Sequence, residues 1–150
     1  MIQKTDLLGA WHLQSWTISY SDRDEVTLPF GDDPTGMIVY TDDGWMTAAI
    51  NRCERALLPT GVAFRKVDKS LLAEAYLSYF QYSARYHIDE GVVTHSVTQS
   101  LNPNFVGTEQ RRTATLDAGR LTLAGEEQAG AVVRTHRLLW QRYAREGRSK

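Results

Sequence analysis

The sequence predicts an all-β fold: a closed, antiparallel up-and-down β-barrel of about eight strands, with one helix and a long loop near the barrel opening. Three observations support this prediction. Segments rich in β-branched and aromatic residues recur along the chain, separated by short turns. Only one segment has the apolar spacing of a helix of several turns. Closing a meander of this kind into a barrel is the simplest way to remove its exposed edges.

Length and composition limit the class of protein. The chain has 150 residues, 42% of them hydrophobic, and a formal net charge of −1, so we expect residues 1–150 to form a single domain. The charge balance argues against a nucleic-acid partner, which needs a concentrated basic face. No apolar segment approaches the roughly 20 residues that span a bilayer. The one cysteine, Cys53, cannot form an internal disulfide, so we predict a cytoplasmic protein without a membrane partner.

A short turn of helix and a long strand are predicted at the start of the chain. Thr5 or Asp6 would cap the helical turn, which ends at Gly9. Residues 10–20 are rich in aromatic and β-branched types and lead into the polar turn 21–24, so they read as a strand. A loop is expected to follow that turn.

A hairpin and a long loop come next. Segments 36–41 and 45–50 are joined by Asp42-Asp43-Gly44, and Asp-Gly between two such segments is a strong hairpin signal. Residues 51–67 show no clear periodicity and contain proline and glycine. We therefore expect a long loop there that could fold over an opening of the barrel.

The one substantial helix is predicted over residues 68–80. Asp68 is placed to cap its first turn, and the apolar residues recur with helical spacing. From residue 82 onward the pattern returns to strands joined by short turns. The predicted strands are 82–89, 92–101, 105–116, 120–124 and 132–143. The charged tail from residue 144 is expected to fray.

Strand alternation indicates which side chains face the barrel interior. Successive side chains point to opposite faces, so the more apolar face of each strand should be the inner one. In strand 92–101 that face includes His95 and Gln99, and in the following strand it includes Gln110 and Arg112. Burying an unpaired guanidinium costs several kcal/mol. The four side chains therefore form either a ligand-facing polar patch or a satisfied network that braces the barrel.

The other strands supply an apolar wall. Trp11 and Leu13 are expected to face inward, whereas Trp16 and Ile18 are expected to face outward, where they would form a homodimer face or lie under the following loop. Aromatic walls with a few polar groups are typical of small-molecule pockets. The residues predicted to bind substrate are Gln99, Tyr40, Met46, Tyr82, Tyr86, Leu138 and Trp140.

Several motifs resemble a known family. Gly9-Ala10-Trp11 after a short helical turn is similar to the Gly-x-Trp opening of calycin barrels. Segment 40–46 and, most specifically, Asn102-Pro103-Asn104-Phe105-Val106-Gly107-Thr108 resemble the lipocalin-like domain family of bacteria and fungi. The resemblance extends over nearly the whole chain and implies a closed barrel with an internal cavity, but no reaction. It also implies that Trp11 closes the barrel floor beneath a basic side chain of the last strand, for which Arg142 is suitably placed.

The favoured function is a cofactor-independent cyclase or isomerase, acting on a polyketide-type natural-product intermediate. Arg112 and Gln110 would hydrogen-bond a carbonyl or enolate, and His95 would move a proton near neutral pH, so these three are the predicted catalytic residues. A pericyclic ring closure would need only shape and one donor on a carbonyl. The alternative is a non-catalytic carrier or sensor of a hydrophobic ligand. We expect no cofactor and no metal; haem ligation by His95 or His136 is disfavoured.

Overall fold

A computed structural model of the chain describes residues 1–144, so most of the charged tail that we expected to fray lies outside the described residues. Over the described part the chain forms nine strands, two α-helices and two short 3-10 turns at residues 64–66 and 103–105. The helices are α1 Lys4–Leu7 and α2 Lys69–Leu77. The strands are β1 Gly9–Tyr20, β2 Arg23–Thr27, β3 Thr35–Tyr40, β4 Trp45–Asn51, β5 Tyr79–Asp89, β6 Val92–Ser100, β7 Glu109–Asp117, β8 Arg120–Ala129 and β9 Val132–Arg142.

Eight of these strands close a barrel. Each strand pairs antiparallel with its neighbour in the order β1-β3-β4-β5-β6-β7-β8-β9, and β9 pairs back onto β1. The predicted closed antiparallel barrel is thereby confirmed. The ninth strand, β2, pairs with the last residues of β1, where Ile18 is opposite Thr27, and with no other strand of the described chain.

The short strand β2 was not predicted. We expected residues 21–24 to form a polar turn followed by a loop, but the turn is shorter and a strand begins at Arg23. Its residues are nearly all exposed, so the segment has no alternation of apolar and polar residues from which a strand could be recognised. The β3–β4 hairpin, by contrast, agrees with the sequence, and Gly44 at its turn has the positive φ that favours glycine.

Helix α2 is shorter than predicted. Asp68 caps it as expected, its carboxylate accepting a hydrogen bond from the Ser70 N–H at 3.1 Å. The helix ends at Leu77, because Tyr79 and Phe80 already pair with β4 as the first residues of β5. The preceding residues 52–63 form the expected long loop. Helix α2 and this loop lie at the end of the barrel where β4 ends and β5 begins.

Two strands each contain a β-bulge, and beyond the bulge the other set of alternate side chains points into the barrel. In β1, Leu13 pairs with Trp140 but Ser15 pairs with the next residue of β9, which leaves Gln14 as an extra residue. The alternation therefore shifts, and the prediction that Trp16 and Ile18 face outward is wrong: Ile18 is buried and Trp16 lines the barrel cavity. These two side chains are therefore not available for the expected homodimer face. The Trp16 ring instead packs edge-on against Phe30 of the following loop, with 5.1 Å between the centroids.

The second bulge lies in β6. Ser83 of β5 pairs with Gln99 while the adjacent Ala84 pairs with Val97, so Thr98 is the extra residue. Up to Val97 the predicted inward face is correct. Beyond it the alternation is reversed, and Gln99, which we expected to face inward, is exposed on the outer surface.

The end of the barrel opposite the loop is closed by α1 and by Trp11. The cap of α1 differs from the predicted one: the helix begins after Gln3, and Asp6 accepts a hydrogen bond from the Gln3 N–H at 2.8 Å. The Trp11 indole donates to the Leu7 carbonyl at 2.9 Å, and the Arg142 guanidinium lies 4.0 Å above the Trp11 ring. The floor that the resemblance implied is thus present. Among the described residues, no helix has both the length and the apolar character that crossing a membrane requires.

Candidate functional site

The barrel encloses a cavity of about 510 Å³. Its volume falls within the range of roughly 300–1,000 Å³ that is usual for small-molecule pockets. Most of its wall is apolar and comes from strands on all sides of the barrel. This apolar wall consists of Trp16, Ile38, Ala48, Ile50, Phe80, Phe105, Leu123, Leu138 and Trp140, together with the ring of Tyr82. The polar lining comes mainly from β7, β8 and β9, with the Tyr82 hydroxyl on β5 in addition.

Arg112 and Gln110 form the polar part of the wall on β7. Both line the cavity, as the alternation of β7 predicted. One Arg112 nitrogen, Nη2, donates to the Gln110 Oε1 at 3.3 Å, and Nη1 donates to the Arg111 carbonyl at 2.9 Å. No carboxylate among the described residues lies within salt-bridge distance of this guanidinium.

Gly125 of β8 leaves the space that the Arg112 side chain occupies. A Cβ atom at this glycine would lie 2.5 Å from Arg112 Nη1 and 3.0 Å from its Cζ. The backbone of Gly125 has no positive φ that would itself require glycine. The residue is therefore small for a steric reason, since the guanidinium lies against its backbone on the cavity wall.

His95 lies deeper in the barrel, between two tyrosines. It is fully buried, its Nε2 is 2.8 Å from the Tyr40 hydroxyl, and its Nδ1 is 2.7 Å from the Tyr82 hydroxyl. Burial, reinforced by the positive charge of Arg112, lowers the pKa of His95 to about 3. The imidazole is therefore neutral at physiological pH, which argues against the predicted proton transfer by His95 near neutral pH.

The two hydrogen bonds that join Tyr40, His95 and Tyr82 run in a definite direction. A neutral imidazole has one donor and one acceptor nitrogen, so one tyrosine donates to His95 and the other accepts from it. Tyr40 has no other hydrogen-bond partner among residues 1–144, whereas Tyr82 also lines the cavity. When Tyr40 donates and Tyr82 accepts, both ring nitrogens are satisfied. The hydroxyl proton of Tyr82 then remains available to a group in the cavity.

The remaining predicted residues divide between the cavity and the core. Leu138 and Trp140 line the cavity as predicted. Met46 is buried in the apolar core. The Tyr86 hydroxyl donates to the Thr41 carbonyl at 2.6 Å, near the closed end of the barrel. Within the described chain the Trp140 Nε1 is buried and has no hydrogen-bond partner.

A second polar cluster at the cavity rim was missed by the sequence reasoning. The Trp16 indole donates to His136 Nδ1 at 3.2 Å, and His136 Nε2 is 2.9 Å from Glu127 Oε2. Glu127 also pairs with Arg134 at 3.6 Å. Alternation from Leu138 would have placed His136 inward, but the Trp16 contact depends on the bulge in β1. Two further acidic residues, Glu109 and Glu126, are part of the rim, and within residues 1–144 neither forms an ion pair.

Comparison with known proteins identifies a family. A model of the lipocalin-like domain matches residues 8–143 of the chain. Among solved structures, a crystal structure of a mutant of the fluorescent protein UnaG aligns with 93% of this chain and 98% of its own, at 11% sequence identity and a TM-score of 0.39. A search of curated proteins finds no match.

Proposed function

The chain belongs to the lipocalin-like domain family, and on this basis we propose that its barrel binds a hydrophobic small molecule with a polar end directed at Arg112. The observation that carries the proposal is the cavity itself. Its wall is apolar over most of the barrel, and its polar groups are grouped on neighbouring strands. An elongated apolar ligand would thus be oriented, with one end against Arg112 and Gln110.

Dye binding to a variant with a filled cavity tests this proposal. Wild-type protein should bind the neutral dye Nile red saturably, with the emission change of an apolar site. Ala48 lines the cavity, so Ala48→Phe should place a phenyl ring in that space and abolish the binding. The control is Ala49→Phe, on the same strand and opposite Met37 and Gln81 on the outer face. Equal dye binding by both variants would place the dye elsewhere and contradict the proposal.

A cofactor-independent cyclase activity in natural-product biosynthesis is the second candidate. The observation that favours it is the set of donors that line the cavity: the Arg112 guanidinium, the Gln110 amide and the Tyr82 hydroxyl. Donors of this kind polarise a carbonyl and stabilise negative charge that develops on its oxygen. The barrel would hold a flexible polyketide-type chain in a folded, reactive conformation, which lowers the barrier by restricting its freedom in advance.

Within this candidate the geometry favours a pericyclic ring closure over an isomerisation that removes a proton. A base-dependent isomerase needs a proton acceptor near the substrate, and neutral His95 has both ring nitrogens engaged by tyrosines. Ring closure between a diene and an activated alkene forms two carbon–carbon σ bonds at the expense of two π bonds, with no net proton transfer. Shape and a donor on the carbonyl are sufficient for it.

Product analysis separates the cyclase from a carrier or sensor. The test substrate is a linear chain bearing a conjugated diene and an α,β-unsaturated ketone. A cyclase yields an isomer of equal mass but different chromatographic retention, faster than the uncatalysed reaction, and Arg112→Gln slows its formation. If the chain binds and is recovered unchanged, the carrier function stands and the cyclase does not.

A further inference from the structure

Arg112 has unused hydrogen-bonding capacity inside the barrel. A guanidinium has five N–H donors, and hydrogen bonds to protein acceptors account for one from each of two nitrogens, to the Arg111 carbonyl and to Gln110 Oε1. Both of these acceptors are neutral. The remaining donors have no acceptor among residues 1–144. Arg112 is half-buried on the cavity wall, and a guanidinium with free donors pairs readily with a carboxylate or a phosphate.

The acidic residues around the cavity do not supply that partner. Glu127 is engaged by His136 and Arg134. Glu109 and Glu126 line the rim but form no ion pair with Arg112. Within residues 1–144 no carboxylate therefore pairs with Arg112, and its positive charge acts on the barrel interior.

The neighbouring buried groups respond to this charge. Burial raises the pKa of Tyr82, and the charge of Arg112 partly opposes that rise. The same charge adds to burial in lowering the pKa of His95. The charge of Arg112 thus acts on both buried groups, and Tyr82 lines the same cavity as the guanidinium.

We propose that Arg112 is an anion-binding site inside the barrel, so that the ligand is an amphipathic monoanion with an apolar body and a single carboxylate or comparable oxyanion. This inference rests on the proposed ligand-binding function. Arg112 would bind the oxyanion bidentately, Gln110 would orient the guanidinium, and the Tyr82 hydroxyl would donate a further hydrogen bond. The single guanidinium of Arg112 matches a single oxyanion, so a second negative charge on the ligand would have no cationic partner at this site.

Displacement of Nile red by three ligands of equal chain length tests the proposal. Decanoate, decanol and decylammonium share an apolar chain and differ in the charge of the head group at neutral pH. For each protein the measured quantity is the inhibition constant of decanol divided by that of decanoate. The contribution of the apolar chain to binding is common to both ligands and drops out of this ratio. Arg112→Gln should lower this ratio by about tenfold or more, because it removes a charged hydrogen-bonding partner. Decylammonium should bind more weakly than decanol to wild type.

A neighbouring arginine provides the matched control. Arg111 is adjacent on β7, exposed on the outer face, and also cationic, so Arg111→Gln changes net charge equally and should leave the ratio unchanged. Arg112→Lys retains the positive charge and should keep most of the preference for decanoate. Circular dichroism verifies that each variant is folded.

The possible outcomes separate the two proposals. A ratio that falls in Arg112→Gln and persists in Arg111→Gln supports the anion site. If all three ligands displace the dye but the ratio is the same in wild type and Arg112→Gln, the anion site is wrong and the binding function stands. If neither the dye nor any ligand binds, both proposals fail together.

Discussion

At the scale of single residues, His95 illustrates how burial decides a role. The sequence placed a histidine inside the barrel, and a histidine there suggests proton transfer. The structure surrounds it with the Tyr40 and Tyr82 hydroxyls and excludes solvent, so the neutral form is strongly preferred. Its contribution is then to position the Tyr82 hydroxyl at the cavity.

This burial makes the stability of the fold depend on pH. The pKa of His95 falls from its ordinary 6.5 to about 3 in the folded protein. Between these values the unfolded chain binds a proton at this residue and the folded protein does not. Through His95, the free energy of unfolding therefore has its full value above about pH 6.5. It falls by about 1.4 kcal/mol per pH unit as the pH is lowered toward 3.

Denaturant unfolding at a series of pH values measures this effect. Between pH 6.5 and 5 we expect the free energy of unfolding of the wild type to fall by about 2 kcal/mol more than that of His95→Gln. Glutamine is the suitable replacement because it hydrogen-bonds both tyrosines without titrating. If the free energy of unfolding changed equally with pH in the two proteins, His95 would accept a proton in the folded protein as readily as in the unfolded chain, and the prediction would be wrong.

At the scale of elements, Arg142 connects three of them at the barrel floor. It extends from the end of β9 and contacts the Trp11 ring on β1. It donates from Nη1 to the Leu8 carbonyl at 2.5 Å and from Nη2 to the Asp6 carbonyl at 2.7 Å, at the end of α1. A cation at the C-terminal end of a helix is also favoured by the helix dipole.

Replacing this arginine should loosen the floor. Arg142→Met keeps the apolar stem but removes the charge and the donors, so we expect a loss of about 2–4 kcal/mol in the free energy of unfolding. Urea denaturation measures it. The comparison variant is Arg137→Met on the same strand, whose side chain is exposed and donates to Ser19 Oγ at 3.2 Å. It should change stability by no more than about 0.5 kcal/mol, and an equal loss in both variants would refute a special role for Arg142.

At the scale of the whole molecule, the hollow barrel should be stabilised by whatever fills it. A ligand that binds only the folded protein adds about 2.7 kcal/mol when present at about 100 times its dissociation constant. For a chain of this length that corresponds to a rise of about 5–10 °C in the thermal unfolding midpoint. Nile red should give this rise in wild type and in Ala49→Phe, and none in Ala48→Phe. A rise in Ala48→Phe would mean that the dye stabilises the protein from outside the cavity.

The parts of the site that were predictable lie on strands without irregularities. Gln110 and Arg112 on β7, and Leu138 and Trp140 on β9, face the cavity as simple alternation indicated. Gln99 does not, because the bulge at Thr98 precedes it. A bulge depends on how two strands pair, and residue types along one strand do not reveal it.

By itself the sequence determined the strand-rich pattern, the β3–β4 hairpin, the capped helix and the family, because alternation, turn chemistry and motifs are local properties of the chain. Only the tertiary structure decided which face of β1 points inward beyond Gln14 and that Tyr40 and Tyr82 enclose His95. It also decided that Arg112 has no carboxylate partner within residues 1–144. These features depend on pairing and on burial between residues far apart in the chain. The hydrogen bonds and the dielectric environment that set their chemistry exist only when the barrel closes.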